Sequence, residues 1–182
     1  MRQSTAFIFG AFILMTLSSC SNKLTPYTER LQDDFEFSTN DLERIQFYLS
    51  SDIILQRNLG LEETRITEGK IQFIDGKEVE RIVFKKGTPG VLVFSPKSNR
   101  LAISFEEGGD DKYLMFGPNK QAGGRFVLLA KEWRNNLGKV SYNGKIYTTT
   151  NRSAYSALLV DIDKYRDIDY DSERVKGRKV GT

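Results

Sequence analysis

The sequence predicts a mainly β protein, an antiparallel β-sandwich or small barrel with one short N-terminal helix. Three observations lead there. Runs rich in Val, Ile, Phe and Tyr recur from Gly69 to Val160, separated by turn residues at intervals of about 8–12 residues. Two dipeptides that tolerate positive φ, Asp75-Gly76 and Asn143-Gly144, sit between alternating segments, as two-residue hairpins require. Self-similarity at a period of about 20–50 residues is missing, which disfavours a solenoid or propeller.

The helix is expected at Ser38-Thr-Asn-Asp41, with Ser38 as N-cap and Asp41 three residues on completing a capping box; Leu42 and Ile45 then share one face. β-Branched and aromatic content predicts a strand from Phe47, broken at Ser50-Ser51-Asp52. Lys70 to Ile74 and Glu78 to Phe84 form the first hairpin. Val91 to Phe94, Leu101 to Phe105 and Lys112 to Phe116 follow as strands, then a loop from Gly117 to Gly124. Arg125 to Ala130 is apolar on both faces, the pattern of a central strand. Lys139 to Tyr142 and Lys145 to Thr148 make the second hairpin, and Tyr155 to Val160 is the last strand.

Ahead of this domain stands an apolar run from Ala6 to Leu17, preceded by Arg2 and followed by Ser18-Ser19-Cys20. It is well short of the ~20 residues a spanning helix needs and has the form of an export signal. Leu17-Ser18-Ser19-Cys20 resembles the lipobox of bacterial lipoproteins. The resemblance implies removal of residues 1–19, lipidation of Cys20 and stable anchoring, because more than one acyl chain is attached and each buried CH₂ contributes ~0.8 kcal/mol. By the same resemblance to Gram-negative lipoproteins, Ser21 rather than aspartate after the cysteine implies the outer membrane. The lack of an acidic cluster in Ser21-Asn22-Lys23-Leu24 favours its periplasmic face, with the cell surface as the alternative. Residues 20–34, polar and broken by Pro26, read as the lipidated N-terminus and a tether, 35–171 as a single β-rich domain, and 172–182 as a basic disordered tail.

Composition narrows the chemistry. Cys20 is the only cysteine and histidine is absent, which removes internal disulfides, Cys-cluster metal sites and the Ser-His and Cys-His nucleophile pairs. Lys and Arg number 27 against 24 Asp and Glu, a balance that provides no global field for nucleic acid. No cofactor or metal is expected. Asp167, Asp169 and Asp171 imitate the first half of a calcium loop, but Ser172 replaces the turn glycine and Arg178 stands where the bidentate glutamate belongs. Glu106, Glu107, Asp110 and Asp111 share one loop and hence one environment, which suits a polar turn better than a glycosidase pair. Gly117 to Gly124 lacks the Gly-Lys-Ser/Thr end of a P-loop.

Two binding surfaces remain. Trp133 with Tyr27, Tyr113, Tyr142, Tyr147, Tyr155 and Tyr165 are candidates for an aromatic docking or sugar-stacking face, Tyr142 and Tyr147 being near each other across Asn143-Gly144, against plain cross-strand packing. Arg174, Lys176, Arg178 and Lys179 are candidates for contact with an anionic surface, an attraction weakened by salt, against a solvated tail. The expected function is that of a lipid-anchored, non-catalytic binding or assembly subunit acting with outer-membrane proteins. The alternatives are a glycan- or peptidoglycan-binding module and a carboxylate-only hydrolase. The expected partners are the membrane through Cys20 and an envelope protein, or a glycan in the alternative reading, with no nucleic acid.

Overall fold

The computed structural model describes residues 23–59, 71–74, 77–108, 111–134 and 137–164. The segment 1–19, Cys20, the Asp167, Asp169 and Asp171 series and the tail bearing Arg174, Lys176, Arg178 and Lys179 lie outside the described residues.

The strands are Leu24–Pro26 (β1), Phe47–Leu49 (β2), Ile53–Asn58 (β3), Ile71–Ile74 (β4), Lys77–Phe84 (β5), Pro89–Lys97 (β6) and Arg100–Ser104 (β7). They continue with Leu114–Asn119 (β8), Arg125–Leu128 (β9), Trp133–Arg134 (β10), Leu137–Tyr142 (β11), Lys145–Thr150 (β12) and Leu158–Asp161 (β13). Among the described residues the short helices Glu29–Asp34 (α1), Thr39–Glu43 (α2) and Asn151–Ala154 (α3) and a 3-10 turn at Lys120–Ala122 punctuate them. One antiparallel sheet runs β1-β13-β2-β6-β7-β8-β9 and the other β10-β11-β12-β3-β5-β4. Of the two architectures expected, the sandwich is the one that forms. The core between the sheets is built from fully buried Leu49, Ile53, Leu55, Leu101, Ile103, Leu114, Phe116, Phe126 and Leu158, each contributing roughly 1.5–3 kcal/mol by leaving water.

Local signals and structure agree at several points. Ser38 caps α2, and its backbone N–H in turn donates to Asp41 Oδ2 at 2.9 Å, closing the capping box. The Asn143-Gly144 turn has φ of 48° and 68°, so Tyr142 sits opposite Lys145 in a tight hairpin. β4 and β5 pair with Ile74 opposite Lys77; their turn residues 75 and 76 lie outside the described residues.

Two expectations are corrected. Residues 24–34 are no tether: β1 pairs with β13, Thr28 caps α1, and Tyr27 is wholly buried among Phe37, Phe47 and Phe126. The domain therefore begins at β1, with residues 21–23 between it and Cys20, and carries helices beyond the single one expected. A lone buried tyrosine in a polar stretch makes no period, which is why the segment looked unstructured. Second, β9 is terminal in its sheet and not central. It is apolar on both faces because its outer edge is covered: Phe126 N donates to Tyr27 O (3.0 Å) and Leu128 N to Ser156 O (3.3 Å). Single bridges, Thr28–Arg125 and Val127–Ala157, make this closure, so the sheet curls without becoming a continuous barrel.

Among the described residues no helix is long and apolar enough to cross a membrane.

Candidate binding groove

Beyond β9 the chain crosses toward the second sheet. Leu129 N donates to Met115 O (2.8 Å), Lys131 N to Lys139 O (2.8 Å) and Lys139 N to Glu132 O (3.0 Å). These bonds set the short β10 strand against β11 with Trp133 opposite Gly138. The absence of a side chain at Gly138 is what seats the indole. A Cβ there would stand 2.7 Å from Trp133 Cη2 and Cζ3 and 2.9 Å from Ala130 Cβ. The ring remains 41% exposed.

The facing wall is α3 and the residue that ends it, Tyr155, which is 55% exposed. Both sheets hold this wall in place. Ile54 N donates to buried Ser153 Oγ (3.1 Å), Ser156 Oγ to Ser51 O (2.7 Å), and Ala157 N to Ser50 Oγ (2.8 Å), while the Val127–Ala157 bridge ties it to β9. The third side is the end of β8, where Asn119 Oδ1 accepts from Gln121 N (2.8 Å) and Ala122 N (3.3 Å) and so shapes the turn that brings in Gln121. Between them lies a groove of about 300 Å³, lined by Pro118, Asn119, Gln121, Trp133, Asn151 and Tyr155 over a floor from β9. That volume stands at the lower end of the range for ligand pockets, and polar and apolar surface share the lining in similar measure.

Of the aromatics expected to form a docking face, Trp133 and Tyr155 are on it; Tyr165 lies outside the described residues. Tyr142 and Tyr147 are 3% and 1% exposed, so the expectation of a Tyr142–Tyr147 surface is corrected. They alternate with outward residues on β11 and β12 and point into the core beside Val140 and Thr149. Their rings meet edge to face at 6.4 Å, and Tyr142 packs against Phe84 at 5.3 Å. This is the cross-strand packing weighed against the docking role. Burial, and then the neighbouring Glu80 carboxylate, push the Tyr147 hydroxyl up to about 12, with Arg57 partly offsetting. Burial followed by Glu106 raises Tyr142 further still.

Glu80 is itself buried and takes two bonds from Arg57, Nε at 3.1 Å and Nη2 at 2.9 Å, with Lys145 Nζ at 3.9 Å. The cluster Arg57–Glu80–Tyr147 ties β3, β5 and β12 together and faces inward. In the acidic loop, Glu106 pairs with Lys112 at 3.4 Å, and Asp110 lies outside the described residues. Among the described residues no aspartate or glutamate lines the groove. Among the described residues no group of three or more acidic or cysteine side chains could hold a metal ion.

Asn119, Gln121 and Asn151 carried no motif that could have marked them. Comparison with protein-family models, with curated proteins and with solved structures finds no match.

Proposed function

We propose that the protein is a lipid-anchored, non-catalytic binding module of the cell envelope whose groove holds a glycan between Trp133 and Tyr155. The observation that carries this reading is the pair of exposed rings across a groove of about 300 Å³ edged by side-chain amides. Exposed large aromatics gathered around a concavity forgo burial that contributes roughly 1.5–3 kcal/mol per residue, which is informative where a lone exposed side chain is not. A sugar ring offers an apolar C–H face to such rings and hydroxyls to Asn119, Gln121 and Asn151.

The attachment rests on the likeness of Leu17-Ser18-Ser19-Cys20 to a lipobox. Given that anchor, the register relates its attachment point to the groove. Residues 21–23 can carry Leu24 no farther than about 14 Å from Cys20, and Leu24 lies opposite Asp161 at one end of β13. Tyr155 precedes the other end, up to about 20 Å away along the extended chain. Tyr155 and the strand end nearest the anchor therefore lie at opposite ends of β13.

The deciding experiment uses the full chain purified from membranes in mild detergent. It should pellet with isolated cell wall, and Trp133→Ala should abolish the pelleting while leaving membrane fractionation intact. Equal pelleting by Trp133→Ala refutes the glycan reading. Cys20→Ser should release the protein from the membrane fraction, and unchanged fractionation refutes the anchor.

A second reading, an assembly subunit for an outer-membrane protein, is favoured by a different surface. Val91, Val93 and Phe94 expose an apolar row on β6, with Tyr113 set edge to face on Phe94 at 4.9 Å. Co-purification of a membrane protein, lost on Phe94→Glu and kept on Trp133→Ala, would establish it in place of the first.

A further inference from the structure

We infer that the ligand is an anionic glycan, one bearing carboxylate or phosphate groups, whose sugar ring lies on Trp133 while its charge reaches Arg100 and Lys131 in an adjoining groove. This rests on the glycan reading above and goes on to specify the substrate class. A second concavity of about 310 Å³ adjoins the first, and Leu129 lines both. Among the described residues its polar lining is cationic: Arg100, Lys131 and Lys139, with Tyr113 and Ser141 as neutral donors and no acidic side chain.

The three cations are not equivalent. Lys139 is paired with Glu132, which also has Arg134 Nη2 at 3.9 Å. Arg100 and Lys131 have no ion-pair partner among the described residues. Two uncompensated positive charges brought to one concavity repel each other, and an anion between them relieves that repulsion. The guanidinium adds a planar fork that matches carboxylate or phosphate.

The ridge between the grooves is also specific. A Cβ at Gly117 would lie 2.9 Å from Leu129 Cδ1 and 3.5 Å from Arg100 Cδ. The missing side chain on β8 is what lets the Leu129 side chain and the Arg100 stem lie close over the strand. Leu129 thereby separates an aromatic, neutral concavity from a cationic one, and a ligand spanning both would carry a ring at one end and an acid at the other.

Trp133 is the only tryptophan, so its fluorescence reports the first groove alone. The full chain in detergent is titrated with a neutral chito-oligosaccharide, an oligogalacturonate and a phosphorylated mannose oligosaccharide. At low salt the acidic sugars should bind at least about tenfold more tightly than the neutral one, and the gap should close as salt rises. Arg100→Gln with Lys131→Gln, both exposed positions, should remove that gap and leave the neutral sugar unchanged. Whichever acidic sugar binds more tightly identifies the carboxylate or the phosphate as the natural group. Equal affinity for neutral and acidic sugars, or a gap that survives the double substitution, overturns the anionic assignment and leaves the glycan reading standing. Acidic binding detected by calorimetry but unaffected by Trp133→Ala also overturns it, as ionic contact without the ring. No fluorescence change with any of the three sugars sinks the glycan reading itself.

Discussion

Gly138→Ala tests how the groove is built without touching a side chain that lines it. The added methyl carbon would stand 2.7 Å from two ring atoms of Trp133 and 2.9 Å from Ala130 Cβ, closer than packed carbons come. Because β11 is held by its β12 ladder on the other side, the partly exposed indole is what gives way. The cost can be bounded. With 41% of the residue exposed, rather more than half of a tryptophan's roughly 200 Å² is covered, and releasing all of it at ~25 cal/mol per Å² would cost about 3 kcal/mol. The ring need only swing clear of Gly138 and Ala130, and alanine is better tolerated than glycine in a strand by up to ~1 kcal/mol. A net loss of about 1–2 kcal/mol follows. Urea denaturation should show it, together with a red shift in the emission of the single tryptophan and loss of glycan binding. Unchanged stability with unchanged emission would mean that the indole does not rest on Gly138, and the account of the groove would fail.

Other consequences can be measured on the same protein. Glu80→Gln should cost about 3 kcal/mol in denaturation, because it removes the charge from a buried carboxylate that takes two bonds from the largely buried Arg57 guanidinium. Replacing both partners with apolar residues should cost far less than the sum of the single changes, whereas additive losses would show a solvated pair. Removal of the carboxylate should also bring the Tyr147 hydroxyl down from about 12, read by absorbance titration. Ser38→Ala should cost about 1 kcal/mol through loss of the α2 cap. Hydrogen bonds from the Ser38 side chain and backbone hold Asp41 below its ordinary value. A depressed carboxyl stabilises the fold above its unfolded pKa of about 3.9 and loses that contribution as pH falls through the lower folded value. The Ser38→Ala deficit should therefore be largest at neutral pH and shrink in acid; a deficit independent of pH down to about 2 would deny the link to Asp41. Tyr27→Ala should cost about 3–5 kcal/mol by emptying a site among Phe37, Phe47 and Phe126; a change near zero would restore the segment to the status of a tether.

What could be seen from the sequence was whatever a few consecutive residues determine. Asn143-Gly144 takes two positive φ angles that few other dipeptides tolerate, so its hairpin needed no help from the rest of the chain. Ser38 and Asp41 close a capping box within one turn. The misreadings share another cause. Alternation on β11 and β12 groups Tyr142 and Tyr147 on a face but leaves open which face meets the core; that is decided by partners such as Phe84 on β5, far away in the chain. β9 has the apolar pattern of a central strand because backbone from residues 27–28 and 156–157 covers its edge, and neither segment announces this locally.

The groove belongs to the same class. Trp133 stood out by its rarity, but its counterpart Tyr155 is delivered by the Val127–Ala157 bridge and by serines of residues 50–51 and 153–156 that satisfy one another's backbone groups. Buried polar groups in such a network are costly to leave unpaired, so the wall bearing Tyr155 cannot shift without breaking bonds to both sheets. That rigidity supports a site formed before its ligand arrives: the rings are set by the strand and helix scaffold, and binding need order only the ligand. A preformed site should also bind with little change in backbone amide exchange at residues 50–54 and 153–157. Strong protection appearing there on addition of the oligosaccharide would point instead to a wall that closes around the ligand.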